Sequence, residues 1–501
     1  MELLDHLVLG MNVALQPSNI FFCFVGALLG TLIGVLPGVG PAATIAILLP
    51  ITYSLSPATS IIMLAGIYYG AQYGGSTTAI MINLPGETSS VVTAIDGYQM
   101  ARKGRAGAAL AIAAIGSLFA GTVSTFVLAL FSVPLSRLAL SFSAPDYFAL
   151  MVLGMLACIA LASGSLVKAL GMSVVGMLAG LIGTDIYTGS VRLNFGLFSL
   201  ADGLSVVAIA AGVFGLSEII RNTENETGEG TTSLKRVGSL MPTREEMRRS
   251  VGPVIRGTGI GTVLGILPGG GAALASFAAY VTEKRLSRRS HEFGKGAVEG
   301  VAAPESANNA GAQMSFLPML TLGIPSNPLM ALFIAALILQ GIVPGPNVLN
   351  AQPELFWGLI ASMWVGNIIL VILNLPLIGL WVRLLTIPYH LLFPAIVVFA
   401  VFGVYGTQNS VADLAVMAFF GGMGYLFVRF GCELAPFILG FILGPMLEEY
   451  LRRSLIQSRG DFMIFVERPI SAVLLGLALV LIIVASLPSV VRRRRQVFSE
   501  E

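Results

Sequence analysis

The chain has 501 residues, 55% hydrophobic and 11% charged, with a mean hydropathy of +0.87 and a net charge of +2. Soluble globular proteins carry about 25% charged residues, so this composition excludes an ordinary water-soluble domain, and the near-neutral balance gives no sign of a nucleic-acid partner. Three scattered cysteines (Cys23, Cys158, Cys432) read as small packing residues and not as a disulfide frame.

Taken in chain order, the first segment is "MELLDHLVLGMNVALQPSN". It has acids where a secretory signal has lysines, so it is expected to be kept, as a short amphipathic helix on a membrane surface. Apolar runs of spanning length follow at 20–36, 106–131, 148–163, 204–220, 355–375, 411–430 and 470–487. A helix needs about 20 such residues to cross the hydrocarbon. The pattern predicts an all-α polytopic membrane protein of ten to twelve transmembrane segments, including re-entrant or broken helical hairpins.

One phrase is written twice. "GTLIGVLPGVGPAA" begins at Gly30 and "GTVLGILPGGGAA" begins at Gly261. Gly26, Gly30 and Gly34 match Gly257, Gly261 and Gly265, and Pro37 matches Pro268. A second phrase follows in each half: "GAQYGGSTTAIMINLPG" from Gly70 to Gly86, and "GAQMSFLPMLTLGIPS" from Gly311 to Ser326. Two ordered motif pairs indicate duplication. Between them, 222–250 is a hydrophilic stretch rich in Gly, Ser, Thr and charge, which reads as a linker.

Basic residues set the expected orientation, because cytoplasmic loops hold an excess of them. In the first half the leading segment and the loop 52–60 have none, while the loop after the second phrase has Arg102, Lys103 and Arg105. The second half reverses this: its leading linker carries Lys235, Arg236, Arg244, Arg248 and Arg249, its next loop carries Lys284, Arg285, Arg288, Arg289 and Lys295, and 341–354 has none. The halves therefore read as two inverted-topology repeats, 1–221 and 251–490, joined by a cytoplasmic linker at 222–250. A basic tail, 491–501, places the C-terminus in the cytoplasm.

Inverted repeats are a common build for secondary transporters, with substrate near the midplane where broken helices meet. Exposed backbone at membrane depth is tolerated only against protein or a watery cavity. The Pro-Gly tips are thus the first candidates for substrate contact: Pro37, Gly38 and Gly40, then Gly269, Gly270 and Gly271. Unpaired N–H groups of the outgoing helices there suit an anion. The second phrases add Gly75, Ser76, Thr77, Pro85, Gly86, Pro325, Ser326 and Asn327, with Asn327-Pro328 reading as the N-cap and first position of a new helix. Gln72, Asn83, Glu305, Asn308, Asn309 and Gln313 are candidates for a coupling ion, since neutral oxygens and an intramembrane acid suit Na⁺ or a proton. Asp96 is a second intramembrane acid. The bland alternatives are that the four-spaced glycines are helix-packing surfaces and that each hydroxyl bonds its own backbone.

These residues also resemble a known family. The "LPGxG" hairpin, "GAQYGGSTTAIMINLPG", "PESANNA" and "LGIPSNP" are similar, in order and over essentially the whole chain, to the large membrane subunit of the bacterial tripartite tricarboxylate transporters. The family's motif positions fall here on 37–40, 70–76, 83–86, 304–309 and 323–327. The resemblance implies an inner-membrane permease, working with a small membrane subunit and a periplasmic solute-binding protein. It also implies import of tricarboxylates or related organic acids, driven by an ion gradient. Na⁺ or a proton is the expected coupling ion and no other cofactor or metal is expected. The chain has no Walker A loop, HExxH or GxSxG, and His6, His291 and His390 lie far apart, so no enzyme is expected. A channel built on the same repeats is the alternative, which substrate accumulation against a gradient would exclude.

Overall fold

The computed structural model describes residues 2–36, 41–83, 87–162, 165–185, 187–225, 239–267, 271–384 and 389–486. It is helical almost throughout. The first half runs α1 (Glu2–Ala14), α2 (Pro17–Val35), α3 (Pro41–Thr52), α4 (Pro57–Ile82), α5 (Val91–Arg102), α6 (Ala106–Ala139), α7 (Ala144–Leu161), α8 (Leu166–Gly180), α9 (Val206–Ala210) and α10 (Ser217–Asn225). The second runs α11 (Arg244–Leu264), α12 (Gly271–Leu286), α13 (Glu299–Met314), α14 (Phe316–Leu322), α15 (Pro328–Leu339), α16 (Val348–Ala351) and α17 (Pro353–Asn374). It ends with α18 (Ile378–Leu384), α19 (Tyr389–Gln408), α20 (Val411–Arg429), α21 (Leu434–Gln457), α22 (Ile464–Glu467) and α23 (Pro469–Ser486). A π-helical stretch, Ala211–Leu216, joins α9 to α10, and a two-stranded ribbon pairs Gly183–Thr184 (β1) with Val191–Arg192 (β2). Among the described residues, six helices are long and apolar enough to cross a membrane: α2, α6, α17, α20, α21 and α23.

Without a hydrophobic force between helices in lipid, association rests on close packing, and small residues permit it. Gly30 faces the Ile67 carbonyl of α4 so closely that a Cβ would overlap it, and Gly261 stands in the same relation to Ala307 of α13. Gly26 and Gly34 of α2 meet Met63 and Ala71, and Gly257 and Gly265 of α11 meet Ala303 and Gly311. Each step of four on one helix matches a step of four or so on its partner, so α2 runs parallel to α4 and α11 runs parallel to α13. The packing reading of the four-spaced glycines therefore holds in both halves.

The helices that leave these pairs trade partners. α6, from the first half, packs on α13 of the second, and α17, from the second, packs on α4 of the first. α4 is buried on every side from Thr59 to Met81, as expected of a helix at the centre of a membrane protein. Around it lies the main apolar core, with Tyr68, Phe316, Phe333 and Trp357 among its largest fully buried side chains.

Helix starts follow local chemistry. α3 opens on Pro41 and α12 on Gly271, directly after the two Pro-Gly tips. Ser56 caps α4 by accepting from Thr59 N, with Pro57 at the first position. Asn327 caps α15 by accepting from Met330 N at 3.0 Å, with Pro328 behind it, as its sequence predicts.

Candidate functional site

Polar groups of the first half's second phrase and of "PESANNA" (304–310) meet where α4 crosses α13. Glu305 of α13 is buried, at 1% exposure. Its carboxylate accepts from Ser76 Oγ at 2.7 Å and from Thr93 Oγ1 of α5. One turn further along α13, Asn309 donates to Ser117 Oγ of α6 at 2.7 Å and to the Glu305 carbonyl at 3.1 Å. Asn308 donates to Glu87 Oε1 at 3.3 Å, and Ser89 Oγ donates to the same oxygen at 2.6 Å. Gly75 is what lets Glu87 approach α4: a Cβ there would stand 3.2 Å from Glu87 Cγ. Two carboxylates thus flank the adjacent residues Gly75 and Ser76. Neither has a cationic partner among the described residues.

Several oxygens around this crossing lack partners. Gln72 Oε1, Asn308 Oδ1, Gln313 Oε1 and the hydroxyls of Tyr69 and Tyr73 are buried with no hydrogen-bond partner among the described residues. Buried polar atoms are rarely left so, and each one calls for a water, an ion or a ligand group. A cavity of about 20 Å³ lies on the Glu305 side of the crossing, lined by Tyr73, Ser76, Thr77, Ser117, Glu305 and Asn374 among others, so that of these unpartnered groups only Tyr73 borders it. It has room for a water-sized occupant and none for a tricarboxylate.

A second polar group lies at the α14–α15 break. Gly323 takes a left-handed conformation (φ 73°) and closes α14, leaving 323–327 non-helical and largely buried. Ser326 is fully buried and donates to Ser315 O at 3.2 Å, while Asn327 Nδ2 donates to Ser315 Oγ at 3.2 Å. Gly271 (φ 42°), at the start of α12, brings the end of the second Pro-Gly tip against Asn327: a Cβ would stand 3.4 Å from Asn327 Nδ2. Tyr68, at 1% exposure, lies beside both Gln72 and Asn327 and links the two groups. This broken backbone is covered by protein, as a membrane interior requires.

Of the residues marked by sequence, Gln72, Gly75, Ser76, Glu305, Asn308 and Asn309 come together at the α4–α13 crossing, and Gly271, Pro325, Ser326 and Asn327 at the α14–α15 break. Thr77 bonds back to the Tyr73 carbonyl at 3.2 Å and lines the cavity. Gln313 lies on α13, buried. Asn83 stands apart, exposed, as the left-handed C-cap of α4 (φ 60°). Pro37, Gly38, Gly40, Pro85, Gly86, Gly269 and Gly270 lie outside the described residues. Asp96 is fully engaged in structure: it accepts from the backbone N–H groups of Gly296 and Ala297 at 2.7 and 2.8 Å, just ahead of α13, and from Tyr280 Oη at 2.9 Å. Glu87, Thr93 and Ser117 were missed by sequence reading. Glu87 carries a signal all the same, an acid directly after a Leu-Pro-Gly sequence.

The profile of the family described as the tripartite tricarboxylate transporter TctA family matches residues 20–439. The chain belongs to that family. The match spans both doubled phrases, α4 and α13, and so the whole of this TctA-family polar crossing. An uncharacterized 52.8 kDa protein in the TAR-I ttuC' 3' region of Agrobacterium vitis is 62% identical over 501 residues, covering all of both chains. An uncharacterized protein in the TAR-II ttuC' 3' region of the same organism is 62% identical over 241 residues, which is 48% of this chain and all of that relative. No solved structure matches. Membership in the TctA family makes the chain a component of a tripartite transporter, within a family of transporters and not of enzymes.

Proposed function

We propose that this chain is the ion-gradient-driven permease of its tripartite system, importing tricarboxylates or related organic acids. In this reading it sits in the bacterial inner membrane with its C-terminus in the cytoplasm. A periplasmic solute-binding protein delivers the substrate and a small membrane subunit completes the assembly. The chain is built of two inverted repeats, and its ten to twelve segments include re-entrant or broken helical hairpins.

One observation carries the reading. The carbonyl of Gly34, at the end of α2, accepts Thr78 Oγ1 at 3.1 Å, and the carbonyl of the matching Gly265, at the end of α11, accepts Ser315 Oγ at 3.3 Å. Each half thus ties the end of its leading helix to a hydroxyl of its polar helix, one turn apart in the two halves when the Gly-Ala-Gln phrases are aligned, just ahead of a Pro-Gly sequence. The exchange of α6 and α17 between halves fits a pseudo-twofold relation, and two broken elements converging on buried polar groups is how secondary transporters place their sites.

Uptake of labelled citrate and other organic acids tests this, in cells holding all three components. Accumulation that survives ATP depletion but collapses with the ion gradients supports the reading. Equilibration without accumulation would make the chain a channel. Cysteines at Ser56 and Asn350 should label from the periplasm and one at Ser290 should not; labelling of Ser56 and Ser290 from the same side would remove the inverted repeat.

A further inference from the structure

We propose that Glu87, Asn308 and Gln72 form a sodium site that joins the two halves of the chain. The proposal rests on the transporter reading above and names its coupling ion. Glu87 and Gln72 belong to the first half and Asn308 to the second. Asn308 is fully buried and its amide is spent on one side only: Nδ2 donates to Glu87 Oε1 at 3.3 Å, while Oδ1 has no partner among the described residues. Gln72, at 1% exposure, lies one turn before Ser76 on α4, and its Oε1 is likewise without a partner. Glu87 is brought against that same turn of α4 by Gly75. Tyr68 lies beside Gln72 with Glu87 close by.

The chemistry of the donor set selects the ion. One carboxylate and two amide oxygens are hard, oxygen-only ligands, and hard cations prefer them. A proton on Glu87 donates one hydrogen bond and leaves one of the two amide oxygens unserved; a metal cation with several oxygen ligands serves both. The donor set holds a single carboxylate, and that charge suits a monovalent ion and not a divalent one. Glu305 stands on the other side of the same turn, already held by Ser76 and Thr93. An anionic substrate entering this region meets two carboxylates with no basic partner, and a bound Na⁺ lowers that repulsion. Ion and substrate then bind together, which is coupling.

The full-length protein, purified in detergent, is titrated with NaCl against choline chloride at constant ionic strength, following ²²Na⁺ binding and thermal stability. Saturable binding with a rise in melting temperature is expected, together with a half-saturating Na⁺ concentration raised about tenfold or more in Glu87→Gln and Asn308→Ala (one factor of ten is about 1.4 kcal/mol). Glu87→Asp, which keeps the charge, is expected to restore part of the affinity, and Gly259→Ala, at an exposed position of α11 with open space around it, is expected to match the wild type in half-saturating Na⁺ concentration. If Glu87→Gln does not fold, Asn308→Ala and Glu87→Asp decide. An absence of saturable Na⁺ binding, or an unchanged half-saturation in the variants, overturns the site. Uptake driven by a pH gradient in sodium-free buffer also overturns it and leaves the transporter reading standing, whereas no gradient-driven uptake at all removes that reading.

Discussion

Ser76 and Glu305 are 229 positions apart in sequence and 2.7 Å apart in space, hydroxyl to carboxylate. The bond crosses from the polar helix of one half to that of the other, so it is one direct route by which one half senses the other. Hydrogen bonds to charged groups contribute about 1.5–3 kcal/mol each, and Glu305 receives two, from α4 and from α5. Any motion that slides α4 past α13 must break or exchange them. The crossing is therefore a joint between the halves.

Gly30→Ala is expected to abolish a monodisperse, folded protein. Its Cβ would overlap the Ile67 carbonyl, which is backbone and cannot rotate away. Separating α2 from α4 would forfeit packing along both helices, the main force holding them together in lipid. Gly259→Ala is the contrast: nothing stands within 4 Å, and replacing a helical glycine by alanine gains up to about 1 kcal/mol. Size-exclusion profiles and melting temperatures of the two variants check this. Two equally well-behaved proteins would show that the glycine ladder is not the contact surface.

Asp96→Ala is expected to lower stability sharply without altering ion dependence. It strips the acceptor from two backbone N–H groups and the Tyr280 hydroxyl, and buried groups left unpaired cost about 1–3 kcal/mol each. Asp96→Asn keeps an oxygen for the N–H groups and should fall between. A change in half-saturating Na⁺ or H⁺ at normal melting temperature would return Asp96 to the transport site.

The frame around the site was legible because its glycine phrase was written twice, whereas Glu305, Asn308 and Asn309 stood out as polar groups in an apolar chain. The doubled glycine phrase marks α2–α4 and α11–α13, and Asn327-Pro328 marks where a helix begins. What was hidden is long-range. Glu87 reads as a loop acid until Gly75, twelve positions away, is seen to make room for it. Asp96 reads as an intramembrane acid of the functional kind because its three partners come from positions about 200 residues on. Asn83 resembles a ligand amide in sequence, yet its backbone needs a residue tolerant of positive φ, and asparagine is one. A side chain's type suggests what it can bind; only packing decides what it meets.

The β1–β2 ribbon predicts an acid-sensitive element. The backbone N–H of Tyr187 and the side chains of Arg192, Thr188 and Arg452 hold the Asp185 carboxyl well below the ordinary aspartate value of 3.8. Arg192 and Arg452 also pair with Glu448 of α21 at 2.9 and 2.6 Å. A carboxyl depressed in the folded state stabilises it at pH above the ordinary value, and that contribution is lost as pH falls through the depressed one. Asp185→Asn should therefore melt lower than the wild type at pH 7, with the gap narrowing below about pH 4. A gap that stays constant from pH 7 to pH 3 would show that charge is not what Asp185 supplies.

Asn327 separates capping from substrate contact. Its Oδ1 accepts from Met330 N and its Nδ2 donates to Ser315 Oγ, so the two ends of one amide do different work. Asn327→Asp keeps the acceptor, and aspartate is as good an N-cap as asparagine, so α15 should form and the melting temperature should hold. The same change removes the donor to Ser315 and adds a negative charge beside the second Pro-Gly tip. Against a di- or tricarboxylate that charge is repulsive: two unit charges 4 Å apart cost about 4 kcal/mol at an effective dielectric of about 20, or nearly a thousandfold. Asn327→Ala loses the cap, about 1 kcal/mol, but adds no charge. The expected order for uptake is wild type, then Asn327→Ala, then Asn327→Asp with almost none, while the order for stability puts Asn327→Asp above Asn327→Ala. Opposite rankings in the two measurements would place an anion at this break; matching rankings would leave Asn327 as a cap and nothing more.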